Sequence, residues 1–357
     1  MKFKIIIPTL ILSFFNIYAQ NIPLYVGTFT TEDSEGIYQY QFNTNTGELT
    51  NKKLSVKTTS PSFITYSSNK SYVYAVNRTT DNTKPDYVTA FKIEADGSLF
   101  AINKVNSQGK GSCHISVNQA GTKAVVSSYN SGTVSLYDIN KDGSLNEASQ
   151  VFDHNSDTEK SHAHSAKFSK NNLFVSDLGR NGLYQYQLDG DTYKLKSTAV
   201  VEMKGNPGPR HFSISKNNKF IYIISEYGNS ITSVKHTKKG FKQIDFDSTL
   251  DENFTGKSFC ADIHLSKDER FIYGSNRGEN SIAVFKRNRR KGTIDKIQNI
   301  SVHGDWPRNF TLDPTGKFVL VANRRSNNIA VFSRDTTSGK LVFLKDYAVP
   351  TPVCLLF

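Results

Sequence analysis

The sequence predicts an all-β chain wound into a seven-bladed β-propeller, and three observations carry that prediction. One strand pattern recurs with a period of about fifty residues between residues 61 and 341. The composition is that of a strand protein, with 17 Tyr and 24 Phe against 2 Met and 1 Trp. Ser, Asn, Thr and Gly between the apolar runs supply turns, and no long stretch has helical periodicity. Both ends of the chain also hold strand-like segments that the repeat does not use, and together they complete one further blade.

The first element is a leader. Lys2 and Lys4 make a short positive start, Ile5 to Phe15 is almost wholly apolar, and Ile17-Tyr18-Ala19 offers a small residue for cleavage. Residues 1–19 are read as a secretory signal peptide, because the apolar stretch falls short of the roughly 20 residues a membrane span needs. No Cys follows it to carry a lipid. The expected mature chain is a single domain, 20–357, exported to the periplasm or the exterior, with no membrane span. The full chain has a formal charge of +12, and losing Lys2 and Lys4 leaves +10. That balance favours anionic ligands. The basic residues are spread along the chain, so no nucleic-acid partner is expected.

The blades follow in order. Leu24-Tyr25-Val26-Gly27-Thr28 resembles the second strand of a blade and Gly36-Ile37-Tyr38-Gln39-Tyr40 the third. Six repeats come next, and matching them places Phe63, His114, His164, His211, Asp262 and Asn309 at one shared position, at intervals of 51, 50, 47, 51 and 47. Within a repeat, runs such as Phe318-Val319-Leu320-Val321-Ala322 and Ile329-Ala330-Val331-Phe332 are separated by polar turns, the signature of an antiparallel meander. Wholly apolar runs such as Phe220-Ile221-Tyr222-Ile223-Ile224 predict inner strands buried on both faces. Pro352-Val353-Cys354-Leu355-Leu356-Phe357 resembles the first strand missing from the N-terminal blade, so pairing the two ends would close the ring without an open edge.

Two further features have plain readings. The run Lys286-Arg287-Asn288-Arg289-Arg290-Lys291 is expected to be a solvated turn. Cys113, Cys260 and Cys354 are too few and too scattered for a disulfide framework and are expected to be small buried hydrophobes.

The repeat also maps a site. The His164 position starts a first strand. About fourteen residues later the second strand returns to the same end of the channel, at Asn77-Arg78, Ser128-Tyr129, Asp177, Ser225-Glu226, Asn276-Arg277 and Asn323-Arg324. One rim would therefore hold His114, His164 and His211, the carboxylates Asp177, Glu226 and Asp262, and Arg210, Arg277 and Arg308, with Trp306 nearby. His, carboxylate and Arg converging at a concave mouth is the composition of an acid–base site. His162 and His164 lack a third ligand at a conventional spacing, so no metal is expected. There is no Gly-x-Ser-x-Gly elbow and no phosphate-cradling Gly loop before a helix.

Tyr25-Val26-Gly27-Thr28, Cys113-His114-Ile115-Ser116, His162-Ala163-His164-Ser165, Gly208-Pro209-Arg210-His211, Asp262-Ile263-His264, Ser275-Asn276-Arg277-Gly278 and Pro307-Arg308-Asn309-Phe310, in this order, carry a resemblance. They look like the signatures of the 6-phosphogluconolactonase propeller family, which also contains a carboxymuconate cyclase from fungi. The resemblance spans essentially the whole mature chain and implies a seven-bladed propeller. In the cyclase branch a His, an Arg, a Glu and a further Arg at the channel mouth are the proposed catalytic and anion-binding residues, and by motif they fall on His164, Arg210, Glu226 and Arg277. The family commonly has Asn-Glu where this chain has Ser225-Glu226, and often again at Asn77-Arg78. The first departure keeps the acid, and the second replaces an acid by a base.

The resemblance implies a lactonase that hydrolyses a sugar lactone to the sugar acid without a cofactor. His164, Glu226 and Arg277 are the expected catalytic residues. Arg210, His211, His114, Asp177, Asp262 and Arg308 are the expected substrate and anion contacts. Lactone hydrolysis needs a delivered water, a stabilised oxyanion and a proton for the leaving ring oxygen. Glu226 or His164 would move the protons, while Arg210 and Arg277 would hold the oxyanion or an anionic substituent. A phosphorylated sugar lactone belongs to cytoplasmic metabolism, so an exported member is expected to act on a plain or carboxylated one, as a monomer. The alternative is a non-catalytic exported propeller that binds a sugar acid or a protein partner. A quinone-bearing redox propeller has no supporting residues.

Overall fold

The computed structural model describes residues 20–81, 83–196, 201–203, 205 and 207–357, and the leader at 1–19 lies outside them. Seven antiparallel sheets form the seven blades of a β-propeller. Blades 2 to 7 begin with the inner strands Pro61–Tyr66, Ser112–Val117, Ala163–Ser169, Pro209–Ile214, Phe259–Leu265 and Pro307–Leu312. Blade 1 is built from both ends. Pro352–Leu356 is its innermost strand, followed outward by Asn21–Thr28, Gly36–Asn43 and Leu49–Lys57. The closing register pairs Tyr25 with Leu356, Val26 with Leu355 and Gly27 with Cys354. In blade 4 the outermost position is shared by Thr192–Leu195 and Val201–Glu202, which both pair with Gly182–Asp189.

The second strands are apolar on both faces because each blade is packed on both sides. Phe220–Ser225 and Phe318–Asn323 are buried at every residue. Their side chains, with those of the neighbouring strands, fill seven apolar clusters, one at each interface of consecutive blades around the ring. Outer strands such as Leu145–Asp153 are buried only at their first residue and then alternate between partly buried and exposed, as a sheet edge facing water should. Polar ties recur between blades. The hydroxyls of Tyr25, Tyr74, Tyr222 and Tyr273 donate to the carbonyls of Gly97, Gly143, Gly292 and Gly339 in the outer hairpin of the following blade, at 2.8, 3.0, 3.1 and 2.8 Å. Glycine is required at the last two of these turns. Gly292 and Gly339 have φ of 85° and 80°, and a Cβ would run into the rings of Phe220 and Phe271.

Two expectations change here. Arg287 does not belong to the solvated turn: it is buried, its Nε donating to the Tyr222 hydroxyl and Nη1 to the Glu269 carbonyl at 2.9 Å, while Lys286 and residues 288–291 are exposed. As the last residue of the strand Ser281–Arg287, it points inward where its neighbour Lys286 points to water. The shared row of the repeat also shifts in blade 4. Near its start each inner strand carries a register irregularity that inserts a residue: Ser62, Cys113, His164, Arg210, Arg308 and Val353 in six blades, and the Ala261-Asp262 step in blade 6. The residue level with His114 and His211 is therefore Ser165, and His164 is level with Arg210 and Arg308. The three cysteines are buried and unpaired. No helix among the described residues is long and apolar enough to cross a membrane.

Ring closure generates a stability prediction. Val353, Cys354 and Leu355 are 1%, 2% and 5% exposed, and burying each apolar side chain is worth about 1.5–3 kcal/mol. Deleting residues 352–357 is expected to remove several kcal/mol of a total that is ordinarily about 5–15 kcal/mol. It also bares the edge of Asn21–Thr28. The truncated chain should lose its cooperative thermal transition and elute as aggregate. A truncated chain that melts like the full one would show that the terminal strand is dispensable.

Candidate active site

Two rows of residues meet at one end of the channel. The first is the bulged row of the inner strands, from blade 1 to blade 7 Val353, Ser62, Cys113, His164, Arg210, Ala261 and Arg308. A bulge re-aims the side chain it inserts, so one row departs from the in-and-out alternation of the strands. Val353, Ser62, Cys113, Arg210 and Arg308, with Phe63, His211 and Asn309, line a cavity of about 10 Å³. Five blades contribute to it, so it lies on the propeller axis, and it has room for roughly one water. The second row follows the ends of the second strands: Phe29, Arg78, Tyr129, Leu178, Glu226, Arg277 and Arg324.

Blades 4 to 6 bring together the four residues that the resemblance singles out. Glu226 Oε2 lies 2.9 Å from Arg210 Nε and 2.8 Å from Arg277 Nη2. The Arg210 guanidinium also donates from Nη1 to the Ala261 carbonyl. Arg277 donates to the carbonyls of Cys260 and Phe259 at 2.8 and 3.2 Å, and stacks on Trp306 with 5.2 Å from Cζ to the ring centre. Arg325 takes the same indole at 3.4 Å. Burial, then the charge of Arg210, lowers Arg277 to about 10, which leaves it a cation at neutral pH. His164 is buried with Nδ1 unpartnered. Burial, followed by repulsion from Arg210, holds it well below the usual imidazole range, so it is neutral and a weak base.

A second polar group lies against this one. His164 and His211 have ring centres 5.1 Å apart, and His114 and His211 5.6 Å. His211 Nδ1 bonds Asp262 Oδ1 at 2.7 Å, while its Nε2 has no partner. Asp262 Oδ2 bonds His264 Nε2 at 3.0 Å and accepts from Asn309 Nδ2 at 2.6 Å. Burial lowers His211 to about 4, and burial likewise holds His114 well below its ordinary value. Burial would raise Asp262, but His264 and His211 outweigh it and keep the carboxyl well below the usual range. The structure thus sets Asp262 as a fully engaged carboxylate that orients His211. An anion contact does not suit it, because a like charge repels. His114 is 2% exposed and packs on the ring of Phe63, 4.6 Å away.

Asp177 does not join the mouth. It is wholly buried and accepts from Ser161 Oγ at 2.5 Å and from the backbone N–H groups of His162, Gly179 and Arg180 at 2.9, 3.1 and 3.0 Å, with His154 Nδ1 3.2 Å away. Its row neighbours Asn77, Asn276 and Asn323 tie loops in the same way, donating to the carbonyls of Thr59, Thr249 and Val302. The row is structural, and the rim groups stand one residue later. Arg308 does reach the mouth, with its Cζ 5.5 Å from the centre of the Phe29 ring. Phe29 itself was not among the expected residues. Its signal was its place one residue past Tyr25-Val26-Gly27-Thr28, where other blades carry Arg78, Glu226 or Arg277. Among the described residues no group of three His, Cys, Asp or Glu is placed to hold a metal ion.

Comparison with known proteins gives this mouth a context. A family profile described as "Lactonase, 7-bladed beta-propeller" matches residues 23–357. A 6-phosphogluconolactonase of Bacillus subtilis is 32% identical over 349 residues, covering 93% of this chain and 97% of that protein. A 6-phosphogluconolactonase of Formosa agariphila is 32% identical over 312 residues, covering 82% and 87%. Among solved structures, a periplasmic gluconolactonase of Pseudomonas aeruginosa superposes with a TM-score of 0.87 at 28% identity, covering 93% of this chain and 98% of that one. With its profile matched from the first strand to the last residue, the chain belongs to the lactonase family of seven-bladed β-propellers.

Proposed function

We propose that this protein is an exported lactonase that hydrolyses a sugar lactone to its sugar acid at the channel mouth, with a single domain from residue 20 to residue 357. The carrying observation is the Glu226 carboxylate set between Arg210 and Arg277, beside a neutral His164. Export rests on the leader at 1–19, and the likeness to a gluconolactonase named as periplasmic supports it. An exported site favours a plain or carboxylated sugar lactone over a phosphorylated one.

In the reaction a water oxygen attacks the lactone carbonyl carbon while His164 or Glu226 takes its proton. The carbonyl π pair becomes an oxyanion held by Arg210 and Arg277, whose guanidinium N–H groups are already fixed by backbone carbonyls and Glu226. Collapse restores the carbonyl, breaks its bond to the ring oxygen, and the proton returns to that oxygen. Glu226 also keeps the two cations together, which without it would repel.

A panel of lactones, plain, carboxylated and phosphorylated, should show turnover on at least one. Arg277→Ala removes an oxyanion donor and should cost about 10²–10³ in kcat. Glu226→Gln should cost a comparable factor while the fold remains intact by circular dichroism. Turnover indifferent to both changes would sink this site, and binding of a sugar acid with no turnover on any lactone would favour the non-catalytic alternative.

The buried histidines set the response to pH. His211 has its folded pKa lowered to about 4, and His114 and His164 are lowered too, whereas an unfolded imidazole titrates near about 6.5. Between those values the unfolded chain binds more protons, so stability is highest above pH about 6.5 and falls as the pH drops toward 4. The melting temperature should decline over that window, and His211→Gln should flatten the decline. A melting temperature constant from pH 7 to pH 4 would contradict the buried neutral imidazoles.

A further inference from the structure

The mouth is two-sided in charge. On the side of blades 4 to 6, Glu226 offsets Arg210 and Arg277. On the side of blades 7, 1 and 2 three more guanidinium groups converge on one ring: Arg324, Arg308 and Arg78 lie 4.7, 5.5 and 5.6 Å from the centre of Phe29. Phe29 is 6% exposed, so its ring forms a floor rather than a contact surface, and the three arginines are half-buried over it. Among the described residues, no carboxylate lies within ion-pair distance of any of the three. Arg78 is anchored by donating to the carbonyls of Ser112 and Gly111 at 3.0 and 3.3 Å. The side chains of Arg308 and Arg324 donate to no acceptor among the described residues.

Such an arrangement is expensive unless something compensates it. Drawing a guanidinium out of water costs several kcal/mol when no opposite charge comes with it, and three beside one another add mutual repulsion. The ring face of Phe29 returns only a small part of that cost. Burial, and then the charges of Arg210, Arg78 and Arg277, push Arg308 well below the usual arginine range. Burial and the neighbouring Arg325 and Arg78 lower Arg324 as well, opposed only by the exposed carboxylate of Glu32, which is too far away to form an ion pair. A half-buried cluster of like charges is stabilised by a counter-charge, and no carboxylate pairs with these three, so an anion from solution would supply it.

We infer that Arg78, Arg308 and Arg324, standing over Phe29, form an oxyanion-binding subsite at the channel mouth, distinct from the Arg210–Glu226–Arg277 cluster, which holds an anionic substituent of the substrate away from the reacting carbonyl. The substituent is a phosphoryl or carboxylate group, since planar forked donors suit either. The inference rests on the mouth being the substrate site proposed above, yet anion binding can be measured without any turnover.

The test uses the full mature protein at constant ionic strength. Calorimetric titration and melting curves with inorganic phosphate, and separately with glucuronate, whose carboxylate lies at the far end of the sugar from the anomeric carbon, are compared between the parent, Arg308→Met and Arg324→Met. Phosphate or glucuronate should bind and raise the melting temperature of the parent, and either variant should weaken that affinity by at least tenfold. Which of the two binds more tightly distinguishes the phosphoryl from the carboxylate source. Arg308→Met should also raise the melting temperature of the ligand-free protein, because it removes an uncompensated cation; an arginine that merely supports the fold would do the reverse. Binding of neither anion by the parent, or binding equal in parent and variants, overturns the subsite. If lactone turnover is found, the variants should raise KM for a substrate bearing the substituent with little change in kcat. If none is found, anion binding lost in the variants would sustain the subsite while the proposed reaction fails.

Discussion

Everything in this protein depends on closing the ring. Each blade is apolar on both faces and can bury them only between two neighbours, so an open stack would leave two unsatisfied faces as well as a bare strand edge. Pairing Tyr25–Gly27 with Cys354–Leu356 removes all three at once. The cluster joining blades 7 and 1 contains Leu24, Val26, Leu320, Ala322 and Leu355, residues from opposite ends of the sequence. No local contact can form it early, so the last interface carries the loop-closure entropy of almost the whole chain. The recurrent bonds from tyrosine to the glycine carbonyl of the next blade add direction to what would otherwise be non-directional packing.

Closure also produces the site. Seven inner strands converge at the axis, and the inserted residue near the start of each brings one additional side chain to the same level. When those side chains are arginine and histidine, the charges come within a few ångströms of one another whatever their separation in sequence. The outcome depends on the company. Arg210 and Arg277 meet Glu226, while His211 meets Asp262, whose other oxygen is taken by His264 and Asn309. Burial and the nearby arginines hold His164 neutral. The arginines and Asp262 keep the charges of their types, while the histidines are held neutral by burial and the cations the ring brings near them.

Much of this was legible in the sequence, for a physical reason. Each blade solves the same packing problem with nearly the same residues, so the period, the number of blades and the role of both termini could be read from apolar runs and turn residues alone. Insertions in the inner strands could not, because a bulge leaves the hydrophobic pattern intact while moving the register by one. That is why His164 seemed level with His114, and why two histidines flanking Ala163 offered no internal correction. Asp177 misled for a related reason: it ends its strand as Asn77 and Asn276 do, and that row faces the loops. Arg287 takes the Tyr222 hydroxyl from the preceding blade, and Phe29 takes arginines from the two blades beside its own, contacts made only when blades pack together and to which sequence gives no access.

The fold by itself does not choose a reaction, since propellers of this shape present the same axial mouth to many ligands. What distinguishes this mouth is its charge. Among the described residues, five arginines at 78, 210, 277, 308 and 324 stand around it against the ion-paired Glu226 and the exposed Glu32 near Arg324, and the chain as a whole carries a formal charge of +12. A concave site with low-dielectric walls concentrates such a field and draws anions toward it. A neutral ligand would gain little from it, and the protein would bear the repulsion among its arginines for nothing. The ligand that makes sense of this arrangement carries negative charge of its own, and under the proposed reaction it would gain further charge at its carbonyl oxygen, on the side of Arg210 and Arg277.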